Sequence, residues 1–331
     1  MPASVREQER PDMSAEGRDV APFVPPARPG LQSRVWRVMT RFIFRYMANP
    51  ALPAEVRRRR MDRVVGTVPL PRGTRVEPVM AGRVPAEWIV PAGVETDAVL
   101  LYLHGGGYAA GSFVTHRVVA EKVAQLAGVR ALLPAYRLAP EHRFPAAVDD
   151  AMAVYRWLIQ EYGADPARVV VAGDSAGGGL TIVLAVSARD AGLPLPAALA
   201  CVSPWTDLAG TGESMRTKAG VDPCFTPEGL HLQAREYLGD ADPRHPLASP
   251  LYADLRGLPP VMAQVGEDEL LLDDARRLVE RARAAGVDAT LEVWPGLWHI
   301  FATQGTFPES REAMQRLGRF LRGYVETRAA P

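Results

Sequence analysis

The chain has 331 residues, 47% of them apolar and 23% charged, and its 38 basic side chains balance 38 acidic ones. That profile is that of a soluble globular protein, and its zero balance offers no overall field for nucleic acid or an anionic membrane. No apolar run approaches the ~20 residues needed to cross a bilayer, the first twenty residues lack the apolar core of a leader, and two cysteines are too few for a disulfide framework. The expectation is a cytoplasmic protein.

Residues 1–30 are rich in Pro, Arg, Glu and Ala and poor in large apolar side chains. Such a segment does not offset its own ordering entropy, so a disordered tail is expected. Over 34–47, Val35, Met39, Phe42 and Tyr46 recur at helical spacing, with Arg34, Arg37, Arg41 and Arg45 as a second stripe. This helix is expected to lay its apolar stripe on the rest of the protein rather than on a membrane. The run 57–60 reads as a solvated helical face.

After Gly66 the chain alternates. Strand patterns at 76–80 and 86–90 form a hairpin, and 98–103 (AVLLYL) reads as a strand buried on both faces. Helix is expected at 112–127, strand at 130–133, helix at 146–162, strand at 168–172, helix at 177–191 and strand at 198–203. A second series follows: strand 261–265, helix 274–285, strand 289–293 and helix 311–325. This is the rhythm of a mostly parallel sheet flanked by helices. The interval 207–258 has only short helical pieces broken by Gly and Pro, which suggests an inserted cover over a site. The expected divisions are 1–30 tail, 31–65 and 207–258 a helical cap in two parts, and 66–206 with 259–331 the catalytic domain. Cys201, in an apolar run, reads as a buried hydrophobe, and Cys224, in a Pro-flanked loop, as a surface thiol.

The sharpest local signal is VVVAGDSAGGG over 169–179. It sets G-x-S-x-G between a buried strand and a helix that starts at once, the pattern of a nucleophile elbow around Ser175. The tight turn leaves no room for Cβ atoms at the flanking glycines, and the serine stands at a helix N-terminus where backbone N–H groups favour developing negative charge. The second signal, His104-Gly105-Gly106-Gly107-Tyr108, follows directly on AVLLYL. Backbone N–H groups of Gly106, Gly107 and Ala176 are the expected oxyanion donors, with Gly105 supplying the turn and His104 holding the loop by local hydrogen bonds.

A nucleophilic serine needs a base. Of the six histidines only His299 lies C-terminal to the other core elements, after the last strand, where it reaches the same sheet edge as Ser175. The orienting acid must follow strand 261–265. There Asp273 or Asp274 suits a helix cap, and position alone does not separate Glu267, Asp268 and Glu269.

HGGGY (104–108), YRLAPE (136–141), FPAAVDDA (144–151), GDSAGGGL (173–180), SPWTDL (203–208), GLPP (257–260) and G-x-D-x-L-x-x-D (266–273) together resemble the hormone-sensitive-lipase-like esterases of the α/β-hydrolase superfamily. The resemblance covers roughly 98–301. It implies an α/β-hydrolase fold with a small helical cap, a preference for short acyl chains and no cofactor; no metal is expected either, because no His/Asp/Glu cluster has ligand spacing. It assigns the acid to Asp268 and makes Glu141 a brace for the HGGG loop. Asp174 precedes the serine, as is usual in the subgroup, with no catalytic role. Two departures are Ala135, where the family often has Asp, and His299-Ile300-Phe301, where it usually has HGF.

The function read here is a serine carboxylesterase with the triad Ser175, Asp268 and His299, acting on a small-molecule ester through an acyl-enzyme. A lactone hydrolase or an acetyl-ester deacetylase of a secondary metabolite is the close alternative, and a non-catalytic ligand-binding member of the fold the remote one. No nucleic-acid partner and no membrane association are expected, and a homodimer is allowed for.

Overall fold

The computed structural model describes residues 23–26, 28–49 and 52–326. Eight strands form one sheet: β1 (Arg75–Ala81), β2 (Val84–Val90), β3 (Val99–Leu103), β4 (Arg130–Pro134), β5 (Val169–Asp174), β6 (Ala198–Val202), β7 (Val261–Gly266) and β8 (Ala289–Trp294). Their spatial order is β1-β2-β4-β3-β5-β6-β7-β8. The β1–β2 hairpin joins antiparallel, β2 also opposes β4, and all pairings from β4 to β8 are parallel. This is the mostly parallel sheet expected from the alternation, in the α/β-hydrolase architecture that the resemblance implies.

Side chains alternate across each buried strand. Val169 and Val171 of β5 join the core under α4 (Ala146–Arg156), α5 (Ala176–Asp190) and α8 (Leu272–Ala284). Val170 and Ala172 face the other way, under α3 (Phe113–Ala127) and α9 (Pro308–Glu326). Burial on both faces is why the central strands are continuous apolar runs. Helix α3 starts where the sequence places it: the Ser112 and Thr115 side chains accept each other's backbone N–H, and Gly128 closes the helix at φ 71°.

Two boundaries differ from expectation. The helix expected over 146–162 is α-helical only to Arg156, then widens into a π turn at Trp157–Glu161. Helix α8 begins at Leu272, so neither Asp273 nor Asp274 is its N-cap. Asp274 instead accepts the N–H groups of Thr206 (2.7 Å) and Asp207 (2.8 Å), and Asp273 accepts that of Ser214 (2.8 Å). Both tie the 207–258 interval to the first turn of α8.

That interval holds no strand, only α6 (Ser214–Thr217), α7 (Pro227–Leu238) and a 3-10 turn at Pro250–Tyr252. It packs with α1 (Leu31–Met47) and α2 (Ala54–Val65). Phe44 of α1 meets Phe225 edge-on at 5.6 Å, and Arg57 of α2 pairs with Glu236 of α7.

Three expectations fail in this region. The run 57–60 is not a solvated face, because Arg57 is buried, and Arg58 donates to Ala109 O (2.7 Å), Ala139 O (2.6 Å) and the Glu141 carboxylate. A guanidinium has donors enough to tie three segments at once, which a count of charges does not reveal. On α1, the stripe Val35, Met39, Phe42 and Tyr46 is exposed, and the packed face carries Ser33, Thr40 and Met47, with Trp36, Ile43 and Phe44 half-buried. Finally, the chain is already anchored before residue 30, since Phe23 packs on Trp294 at 4.9 Å. Residues 1–22 lie outside the described residues.

Among the described residues, no helix is long and apolar enough to cross a membrane.

Candidate active site

Strand β5 ends at Asp174 and α5 begins at Ala176, leaving Ser175 alone in the turn at φ 54°, ψ −121°. An L-residue is strained there, and it stays because its neighbours fix it: its N–H donates to Val202 O (2.8 Å) and its carbonyl accepts from Trp205 (2.9 Å). Gly177 is required by close approach, since a Cβ there would run into the carbonyl oxygen of Leu103.

His299 reaches the same point from the loop after β8. Its Nε2 lies 3.0 Å from Ser175 Oγ, and the Ile300 N–H behind it donates to Ser203 Oγ (2.9 Å). Its Nδ1 lies 3.2 Å from Glu269 Oε2. Glu269, His299 and Ser175 are all buried. Burial lifts the Glu269 carboxyl above the ordinary range, and the bond to His299 pulls it partway back. The chain Ser–His–carboxylate is therefore complete, but its carboxylate is Glu269.

Asp268 does not touch His299. It turns outward to Arg37 of α1 (2.8 Å) and Lys218 (3.3 Å), while its N–H donates to Leu297 O (2.8 Å). Consecutive side chains in this turn point opposite ways, so one of the two carboxylates faces the base and the other the covering helices. The signal for the inward one was adjacency: Glu269 opens the buried run Leu270, Leu271, Leu272.

The glycine loop after β3 sits beside the serine. Gly106 (φ 120°) and Gly107 (φ 63°) make its turn, rather than Gly105. The Gly105 N–H donates to Asp174 Oδ1 (3.2 Å), which also accepts from Tyr102 Oη (2.8 Å). Burial would raise the Asp174 carboxyl, but the facing His116 (3.6 Å) and the Tyr102 hydroxyl outweigh it and hold it below the ordinary range. A charged carboxylate thus pins the loop to the end of β5, a role that sequence reasoning missed. His104 stacks on Tyr136 (4.1 Å) and its Nδ1 meets Gly105 O (2.9 Å). Burial and the neighbouring His116 push it down to about 3, which leaves it neutral and local. Glu141 braces the loop only through Arg58, which holds Ala109 O. In the same region Arg137 of YRLAPE clasps Asp150 of FPAAVDDA through its backbone and side chain, so those two motifs are one contact.

A cavity of about 330 Å³ lies over Ser175 and His299. Gly106 and Gly107 form its floor, with Trp36, Ile43, Phe44 and Met47 of α1 and Met61, Val64 and Val65 of α2 among its walls. Phe225 stands edge-on to the His299 ring at 4.9 Å. Cys224 is half-buried with its Sγ 3.9 Å from His299 O, so it is not a surface thiol, and Cys201 is fully buried.

Residues 100–303 match the α/β hydrolase fold family. An acetyl-hydrolase of Streptomyces hygroscopicus is 44% identical over 271 residues, 82% of this chain and 89% of that protein. A crystal structure of an esterase from the bacterial hormone-sensitive lipase family has 47% identity and a TM-score of 0.83, over 87% of this chain and 98% of the other. The chain belongs to the bacterial hormone-sensitive-lipase family of esterases. This esterase is also similar to an ethyl acetate hydrolase of Pseudomonas putida, 34% identical over 65% of this chain and 69% of that one. It is a carboxylic ester hydrolase of the α/β-hydrolase fold.

Proposed function

We propose that the enzyme hydrolyses esters of short carboxylic acids, acetyl esters among them, through an acyl-enzyme on Ser175. The observation that carries this reading is the continuous chain Ser175–His299–Glu269, at 3.0 and 3.2 Å, beneath an apolar cavity. His299 Nε2 takes the Ser175 proton as Oγ attacks the carbonyl carbon, and passes it to the leaving alkoxide. Glu269 holds the imidazole in the tautomer with the proton on Nδ1 and stabilises the cation that forms. N–H groups of Gly106, Gly107 and Ala176 receive the oxyanion of each tetrahedral intermediate. Water, deprotonated by the same histidine, then releases the acid.

The acyl group occupies the space between α1 and α2, which act with 207–258 as a cap. A volume of about 330 Å³ is at the small end of ligand pockets and favours short chains. The names of the acetyl-hydrolase and ethyl acetate hydrolase relatives support the same size class. A p-nitrophenyl ester series from acetate to decanoate tests it: kcat/KM should fall steadily beyond the shortest esters, and a profile that rises with chain length rejects it. Ser175→Ala should lose on the order of 10⁴-fold or more in kcat. A serine-directed phosphonate should label Ser175 alone.

A further inference from the structure

Among the described residues, thirteen large apolar side chains are exposed, and six of them, Leu31, Val35, Val38, Met39, Phe42 and Tyr46, sit on α1. At 3.6 residues per turn these six fall within about a third of the helix circumference, as one continuous stripe. Phe42 is 66% exposed and Val38 58%, so the stripe is outer surface. Along one flank run Arg34, Arg41 and Arg45, all exposed, and at the far end Arg60 of α2 stacks on the Tyr46 ring at 4.6 Å. Helix α1 contains no acidic residue.

The helix cannot roll this stripe inward. Its opposite face is pinned by Ser33 Oγ and the Gly30 N–H on Glu309 (2.8 and 2.7 Å) and by Arg37 on Asp268 (2.8 Å). That inner face is the one that lines the cavity. So α1 has two apolar faces, one turned to the site and one turned out. We propose that the outer face docks the enzyme on an anionic lipid surface, with the stripe seated among acyl chains and the arginines at the head groups.

Charge complementarity selects this occupant. A basic flank beside an apolar stripe is the pattern of a helix lying in a membrane interface. A second copy seated on the same face would bring two rows of arginine together with no carboxylate on either helix. The proposal goes beyond the reading of the active site, and its test does not depend on catalysis.

The test is sedimentation of the full-length protein with phosphatidylcholine vesicles, with and without a one-third share of phosphatidylglycerol. Binding should require the anionic lipid and weaken in high salt. The double variant Val35→Asp/Phe42→Asp, and separately the triple variant Arg34→Gln/Arg41→Gln/Arg45→Gln, should each lower vesicle affinity about tenfold or more. Neither set lines the cavity, so hydrolysis of soluble p-nitrophenyl butyrate and the melting temperature should stay at wild-type values. Failure of the wild type to sediment with anionic vesicles overturns the proposal, as does equal binding to neutral ones. A change of molecular mass in either variant would assign the stripe to a second copy instead. Binding only after deletion of residues 1–22 would assign it to that segment.

Discussion

The floor and the roof of the site are built on different principles. At the floor, Ser175, His299, Glu269 and Asp174 are buried at strand ends, and backbone geometry leaves each one orientation. In the roof, α1 and α2 are held in part by partly exposed arginines, Arg37 on Asp268 and Arg58 on Glu141. Ion pairs of that kind contribute little each and are screened by salt. The floor is fixed by packing and sterics, so chemistry is set there, whereas the roof can be rearranged at small cost, so substrate choice is set above it.

The adjacent carboxylates of one loop test this division most severely. Glu269→Gln should lower kcat about 10⁴-fold, because an amide no longer enforces the required histidine tautomer. Asp268→Asn, which only loosens the roof, should change KM about fivefold or less, with kcat near wild type. If the two effects were reversed, the assignment of floor and roof in this loop would be wrong.

Asp174→Asn comes next. It weakens the charged clasp on Gly105 without touching Ser175, and a displaced oxyanion donor costs about 10²-fold in kcat. The loss should appear in kcat and leave KM for short esters nearly unchanged, and a pure KM effect would refute the clasp.

The smallest effect is on stability. Burial raises Glu269 above its ordinary value of 4.5. In the window from that value up to the raised one, the folded state keeps a proton that the unfolded chain has released, so folding stability falls as pH rises. Glu269→Gln removes this penalty. Melting curves at about pH 5 and about pH 8 should show the variant gaining on wild type as pH rises, and the opposite trend would contradict a buried, raised carboxyl.

How far the sequence was legible follows the same line. The elbow, the glycine loop and His299 are visible because each obeys a local rule: a strand end, a forced turn, a position in chain order. The inner strands β3 and β6 are visible for the same reason, as uninterrupted apolar runs. The family motif carried the acid to Asp268, one residue from the carboxylate that meets the imidazole, because spacing along a turn does not say which way a side chain points. In α1 the visible stripe was taken as the packed face. The face that packs carries Ser33, Arg37 and Thr40, whose partners Glu309, Asp268 and Gln304 lie more than 200 positions away, and no local pattern announces such pairs. Arg58 was hidden in the same way.

Ser175 holds a backbone conformation that only glycine adopts at ease, and such a residue costs the fold of order 1–3 kcal/mol. An alanine there keeps the Cβ and so keeps the cost, while a glycine sheds it and gives back about 0.5–1 kcal/mol through its freer unfolded chain. Ser175→Gly should therefore melt higher than Ser175→Ala, though both are inactive. On those terms selection for activity and selection for stability pull this position in opposite directions, and a copy of the gene released from the need to hydrolyse esters should lose its nucleophile early.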